Sequence, residues 1–139
     1  VRGVVFRCKG LIKSFDKEYF YVISNGITRL EWSNIHTPSN IKVINKVKKK
    51  GADSVSFMYA LDAIPSKRNR RALIRACYRV MTYGGDIEFL GNRGNCSGIG
   101  EMKGVQWQNN NAILYYLPEI KQYFSVVSVS ANKITAIKD

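Results

Sequence analysis

Apolar and polar positions along this chain repeat with two different periods, and the change from one to the other marks its elements. Val4-Val5-Phe6-Arg7-Cys8 and Leu11-Ile12-Lys13-Ser14-Phe15 are short β-prone runs separated only by Lys9-Gly10. So short a link predicts an antiparallel hairpin, because a parallel crossover needs about a dozen residues. Tyr19 to Ile23 predicts another strand, followed by the turn signal Asn25-Gly26. From Thr37 the period lengthens. Thr37-Pro38 reads as an N-cap with proline at the first helical position, Ile41, Ile44 and Val47 recur at helical spacing, and Lys48-Lys49-Lys50 before Gly51 complements the negative end of the helix dipole.

Asp53 to Leu61 predicts a strand whose nearly continuous apolar end implies burial on both faces, as in the middle of a parallel sheet. Pro65-Ser66 opens a helix in which Leu73, Ile74, Cys77, Val80 and Met81 form one apolar stripe, while Lys67, Arg68, Arg70, Arg71, Arg75 and Arg79 take the other faces, and Gly84-Gly85 ends it. Asp86 to Leu90 is a further strand, and Gly91 to Asn111 a polar loop long enough for a functional role. Ala112 to Phe124 is helical in two pieces, because Pro118 lacks a donor and starts the second piece comfortably. Val126 to Ser130 and Lys133 to Lys138 alternate across Ala131-Asn132, predicting a terminal antiparallel hairpin. The expectation is one domain over 1–139, with a β-rich part at 1–36 and a helix/strand alternation from 37 onward. That alternation argues an α/β sheet, mostly parallel, with an antiparallel edge at its end.

Charge sharpens the picture. Lys and Arg number 22 against 10 acids, a formal charge of +12 that favours phosphates or an acidic protein partner and opposes self-association. Cys8, Cys77 and Cys96 form neither a disulfide framework nor a metal-binding pattern, which fits a reducing, cytoplasmic setting without a metal. No apolar run reaches the ~18 residues of a spanning helix, so no membrane is expected as partner.

Specific words in the second part resemble a known family. Gly51-Ala-Asp-Ser-Val-Ser-Phe-Met-Tyr-Ala-Leu-Asp-Ala-Ile-Pro65 is similar to the fourth strand and following turn of class I S-adenosylmethionine-dependent methyltransferases. Leu73 to Gly85 resembles the helix closing on "rvLkpGG" in that family, with Thr82-Tyr83 where Lys-Pro is commoner. Tyr115 to Lys138 resembles the family's last helix and reversed terminal hairpin. The resemblance implies a Rossmann-like sheet, S-adenosylmethionine as cofactor and, on charge grounds, nucleic acid as methyl acceptor. Its glycine-rich cofactor turn is not found in the first 52 residues, so the N-terminal part is incomplete or remodelled. The alternative is a catalytically inactive member serving as a basic nucleic-acid-binding or assembly subunit.

On the resemblance, Asp62 falls where the fourth strand delivers residues to the cofactor, Asp16 where a carboxylate holds the ribose, and Tyr59 where a ring stacks on adenine or a base. The plainer readings are a turn carboxylate for Asp62 and a core aromatic for Tyr59. Arg68, Arg71, Arg75 and Arg79 recur at helical spacing, and no acid lies between Ser66 and Tyr83, so these cations repel one another until an anion relieves them. Trp107, followed by Gln108-Asn109-Asn110-Asn111, combines an aromatic surface with amides suited to stacking and base edges. Gly94, Gly98 and Gly100 do not meet the dinucleotide fingerprint and read as loop flexibility. His36, the sole histidine, neighbours a helix cap. No residue stands out as a catalytic base.

Overall fold

A computed structural model of the chain describes residues 4–8, 11–14, 38, 41–42, 44–45, 51–94, 96–103 and 106–139. Its strands are β1 (Val4–Cys8), β2 (Leu11–Ser14), β3 (Ala52–Met58), β4 (Met81–Leu90), β5 (Glu101–Lys103), β6 (Gln106–Gln108), β7 (Ser125–Val129) and β8 (Lys133–Ile137). The fully described α-helices are α1 (Lys67–Val80) and α2 (Leu117–Lys121), preceded by 3-10 turns at Leu61–Ala63 and Ile113–Tyr116 respectively. Positions 38, 41, 42, 44 and 45 are helical, within the predicted helix after Thr37, and Ile44 is fully buried. Tyr19 to Ile23 and Asp16 lie outside the described residues.

The main sheet has the order β2-β1-β3-β4-β8-β7. β3 and β4 are parallel, as the intervening helix requires, with Val55 opposite Ile87 and Phe57 opposite Phe89. Every other neighbouring pair is antiparallel, so the sheet is mixed and the mostly parallel arrangement is corrected. The cause lies at both ends of the sheet. Tight β1/β2 and β7/β8 connections can only reverse the chain, and β1 docks antiparallel on the free side of β3, with Val4 opposite Phe57 and Arg7 opposite Ser54. At the other end β8 inserts between β4 and β7.

Burial corrects a second expectation. In β3, Val55 and Phe57 are about 1% exposed, while Ser54 and Ser56 are half-buried and Met58 is 38% exposed. Only one face of the strand is therefore buried. On the other face Ser56 donates to Glu88 at 2.9 Å and Ser54 to Asp86 at 3.3 Å, a polar ladder that Lys133 extends by pairing with Glu88 at 3.3 Å. The period-two pattern Ser54, Val55, Ser56, Phe57 is that of a half-buried strand.

The buried face packs with the helices into one core, where Ile44, Phe57, Leu61, Ile74, Cys77, Val80, Phe89, Ile120 and Ile134 meet. Ser66 caps α1 by accepting from the Asn69 amide. The helix ends at Val80, short of Gly84-Gly85, and Met81 is already extended (φ −81, ψ 148). β4 begins there and accommodates the glycines as a bulge, so that five residue steps from Met81 to Asp86 oppose two from Ala52 to Ser54. Gly85 is needed at that bulge, because a Cβ there would lie 2.9 Å from the Thr82 carbonyl oxygen and 3.0 Å from that of Asp53.

The segment predicted as a long polar loop contains a second, two-stranded sheet, β5 against β6. Its base is closed by a parallel bridge between Asn92 and Ala112. Pro118 sits in the first turn of α2, directly behind the 3-10 turn, as the two-piece helix anticipates.

Candidate functional site

Asp62 stands just past the carboxyl end of β3, in the 3-10 turn, and is 6% exposed. Oδ1 accepts from the Tyr116 hydroxyl at 2.8 Å and the Asn111 amide at 3.0 Å. Oδ2 accepts from the Asn110 amide and the Asn92 side chain, each at 3.2 Å. The Asp62 carbonyl takes the Asn109 amide at 2.8 Å. Three successive backbone amides thus converge on one residue, helped by Asn110 at φ 57, a left-handed conformation asparagine tolerates. A carboxylate offers about four acceptor sites. All are taken from within the chain, so Asp62 ties Asn92, Asn110, Asn111 and Tyr116 to the turn after β3.

The network continues through neighbouring groups. The Tyr116 hydroxyl accepts from Asn109 Nδ2 at 3.1 Å and Asn111 Nδ2 at 3.4 Å. Burial raises the Tyr116 phenol well above its ordinary pKa, against the lowering effect of those two donors. Asn109 Nδ2 and Arg70 Nη1 both donate to the Ile64 carbonyl, at 2.9 and 2.8 Å. Arg70 also grips Glu119 of α2 through Nε at 3.0 Å and Nη2 at 3.0 Å, and its guanidinium lies 5.0 Å from the Tyr116 ring centroid. Arg70 is 6% exposed, so it leaves the basic surface to which the sequence pattern assigns it.

Trp107 belongs to β6 and is half-buried, with Nε1–H donating to Asn109 Oδ1 at 2.7 Å. A Cβ at Gly100 would overlap the Trp107 ring. Gly100 therefore serves close packing of the indole rather than loop flexibility. Tyr59 is 42% exposed and its backbone is left-handed (φ 58), a costly conformation for a bulky residue, while its amide donates to the Leu90 carbonyl at 2.9 Å. The core reading of Tyr59 is thereby corrected. This left-handed residue leads into the 3-10 turn that carries Asp62.

Arg68, Arg71, Arg75 and Arg79 are all exposed on α1, opposite the buried Leu73, Cys77 and Val80. No acidic side chain among the described residues lies within salt-bridge distance of any of the four. The stripe runs about 16 Å along the helix axis. At the far end of α1, Lys138 of the C-terminal segment donates to the carbonyls of Tyr78 at 2.7 Å and Met81 at 2.8 Å, and its ammonium lies 4.4 Å from the Tyr78 ring centroid and 4.7 Å from that of Tyr83.

The structure thus brings Asp62 and the Asn109–Asn111 run together, keeps the four arginines on one face, and leaves Asp16 outside the described residues. Tyr116, Asn92, Arg70 and Glu119 were not legible as a site; the asparagine run was the one signal of the network. Among the described residues no group of three or more His, Cys, Asp or Glu side chains is placed to hold a metal, and no helix is long and apolar enough to cross a membrane. No family model, curated protein or solved structure matches the chain.

Proposed function

We propose that this chain is a methyltransferase-fold protein that works as a basic nucleic-acid-binding subunit, engaging phosphates through α1, without S-adenosylmethionine chemistry of its own. The observation that carries the reading is the arginine stripe. Four guanidinium groups share one exposed face with no acidic partner among the described residues, in a chain of formal charge +12. Clustered, unneutralised cations are relieved by a polyanion, and counterion release supplies the driving force. The apolar side of α1 is spent on the core, so the surface offers charge and hydrogen-bond donors rather than an apolar wedge.

Support for the fold kinship comes from the parallel β3/β4 pair and the last strand inserted antiparallel beside β4, the reversed hairpin on which the resemblance rests. The residues described do not fit the cofactor. Asp62 has its acceptors filled from within the chain, and β1 runs antiparallel to β3, so its carboxyl-terminal residues, with Arg7 opposite Ser54, lie beside the start of β3, at the edge opposite Asp62. A phosphate-facing glycine turn belongs at the carboxyl edge of the strands.

Two measurements test the proposal. Each arginine neutralising a phosphate contributes roughly 0.7 to 0.9 to the slope of log affinity against log salt, so Arg71→Gln with Arg75→Gln should lower the slope by about 1 to 2, similarly for different base sequences. An unchanged slope in a folded double variant removes α1 from the binding face and leaves the charge to an acidic protein partner. Isothermal titration with S-adenosylmethionine or S-adenosylhomocysteine should give no binding heat at millimolar ligand. Saturable binding there would return the chain to the transferase reading.

A further inference from the structure

Tyr83 has the most solvent-exposed large apolar side chain among the described residues, at 77%. Local structure accounts for its display. The β4 bulge places the extra residues of that strand at Thr82 to Gly85, and Gly84 takes a left-handed φ of +82 that closes the excursion. Thr82, Tyr83 and Gly84 are all exposed as a result. Bulges re-aim side chains, and this one turns an aromatic ring outward where a regular strand would have laid it on the sheet.

The ring is also supported from beneath. Lys138 Nζ is fixed by the Tyr78 and Met81 carbonyls and lies 4.7 Å from the Tyr83 ring centroid, so one side of the ring meets a positioned cation. With so much of its surface exposed, the other side is open to solvent. Tyr83 follows Arg79, the last arginine of the stripe, by four residues, which bounds their separation to about 13 Å of extended chain. An aromatic face at the end of a row of phosphate-binding cations is the arrangement that binds single strands, because every base has a π-face and an unpaired base is free to leave its neighbours.

We infer that Tyr83 is a stacking platform for an unpaired base, and that the protein prefers single-stranded nucleic acid whose backbone runs along Arg68 to Arg79. This rests on the reading of α1 as the phosphate-binding face. The rival role for Tyr83 is as a cover for Lys138, which leucine would also fill. The full-length chain is therefore compared as wild type, Tyr83→Leu, Tyr83→Trp and the Arg71→Gln/Arg75→Gln double variant, by fluorescence anisotropy on a labelled short single strand and on the same sequence as a duplex. Tyr83→Leu should weaken single-strand binding roughly five- to hundredfold, leave duplex binding within about twofold, and be reversed by tryptophan. Equal losses on both forms, no loss, or a loss that tryptophan does not restore would overturn the platform. If the double arginine variant binds as wild type while Tyr83→Leu does not, the phosphate face lies elsewhere and Tyr83 still stacks. If wild type binds neither form, both readings fall.

Discussion

Asp62 carries two backbone amides, a phenol and an amide side chain on one buried carboxylate. Removing it leaves the buried Tyr116 hydroxyl and three half-buried amide donors without their acceptor, and an unsatisfied buried polar group costs about 1 to 3 kcal/mol. Asp62→Ala should therefore lower stability by about 1 to 3 kcal/mol in urea unfolding, with the Asn109, Asn110 and Asn111 amides losing exchange protection. A surface ligand residue behaves differently, since replacing one usually changes stability by less than about 0.5 kcal/mol. A near-neutral Asp62→Ala would show that the carboxylate does not hold these groups in place. Arg70 follows the same logic at shorter range, because its guanidinium links the start of α1 to α2 through Glu119 and to the Asp62 network through the Ile64 carbonyl.

At the scale of the element, the β4 bulge converts a helix-ending glycine pair into a strand that hydrogen-bonds on both sides. Gly84 donates to the Lys138 carbonyl and Lys138 donates back to Gly85, so the bulge is pinned by the C-terminal segment. Gly85→Ala would press a methyl group against two carbonyl oxygens at 2.9 and 3.0 Å, which backbone cannot relieve cheaply. A loss of about 1 to 3 kcal/mol is expected, the usual size for overpacking. Gly94→Ala is the control, since nothing lies within 4 Å of a Cβ there, and its melting temperature should match wild type within the error of the scan. Equal melting temperatures for the two variants would mean that the bulge yields.

For the whole molecule, alkaline pH is the informative condition. Burial pushes the Cys77 thiol far above its ordinary 9.0 and the Tyr116 phenol above its ordinary 10.0. The folded protein keeps both protons where the unfolded chain releases them. Their stabilising contribution is therefore full below the unfolded values and is lost as pH rises past about 9 and then past about 10, each group adding a slope of about 1.4 kcal/mol per pH unit. Lys138 works in the opposite sense. Burial lowers its pKa below 10.5, so the unfolded chain holds that proton longer and stability gains as pH rises through the same range. Differences between variants separate the contributions. Urea unfolding between pH 7 and 11 should show Cys77→Ala and Tyr116→Phe each losing less stability over that span than wild type; parallel profiles would mean that neither group titrates differently in the two states.

The hairpins, the parallel β3/β4 pair and the arginine stripe were legible in the sequence alone, and for one reason: each depends on contacts between residues close in the chain or on a period repeated over one element. A two-residue link at Lys9-Gly10 permits only reversal, and Arg68, Arg71, Arg75 and Arg79 fall on one side of any α-helix. What only the tertiary structure decided was which groups meet across long separations. Arg70 looks like its exposed neighbours in the helical pattern, yet it is drawn inward by Glu119, 49 residues away. Asp62 reads first as a turn carboxylate and second as a ligand, and the sequence does not show that Asn110, Asn111 and Tyr116 fill its acceptors. The β3 strand likewise ends in an apolar run, but its second face stays polar because Ser54 and Ser56 find Asp86 and Glu88 on β4. Local pattern sets an element's faces, whereas the partners for buried charge are chosen by the packing of elements that the pattern does not name.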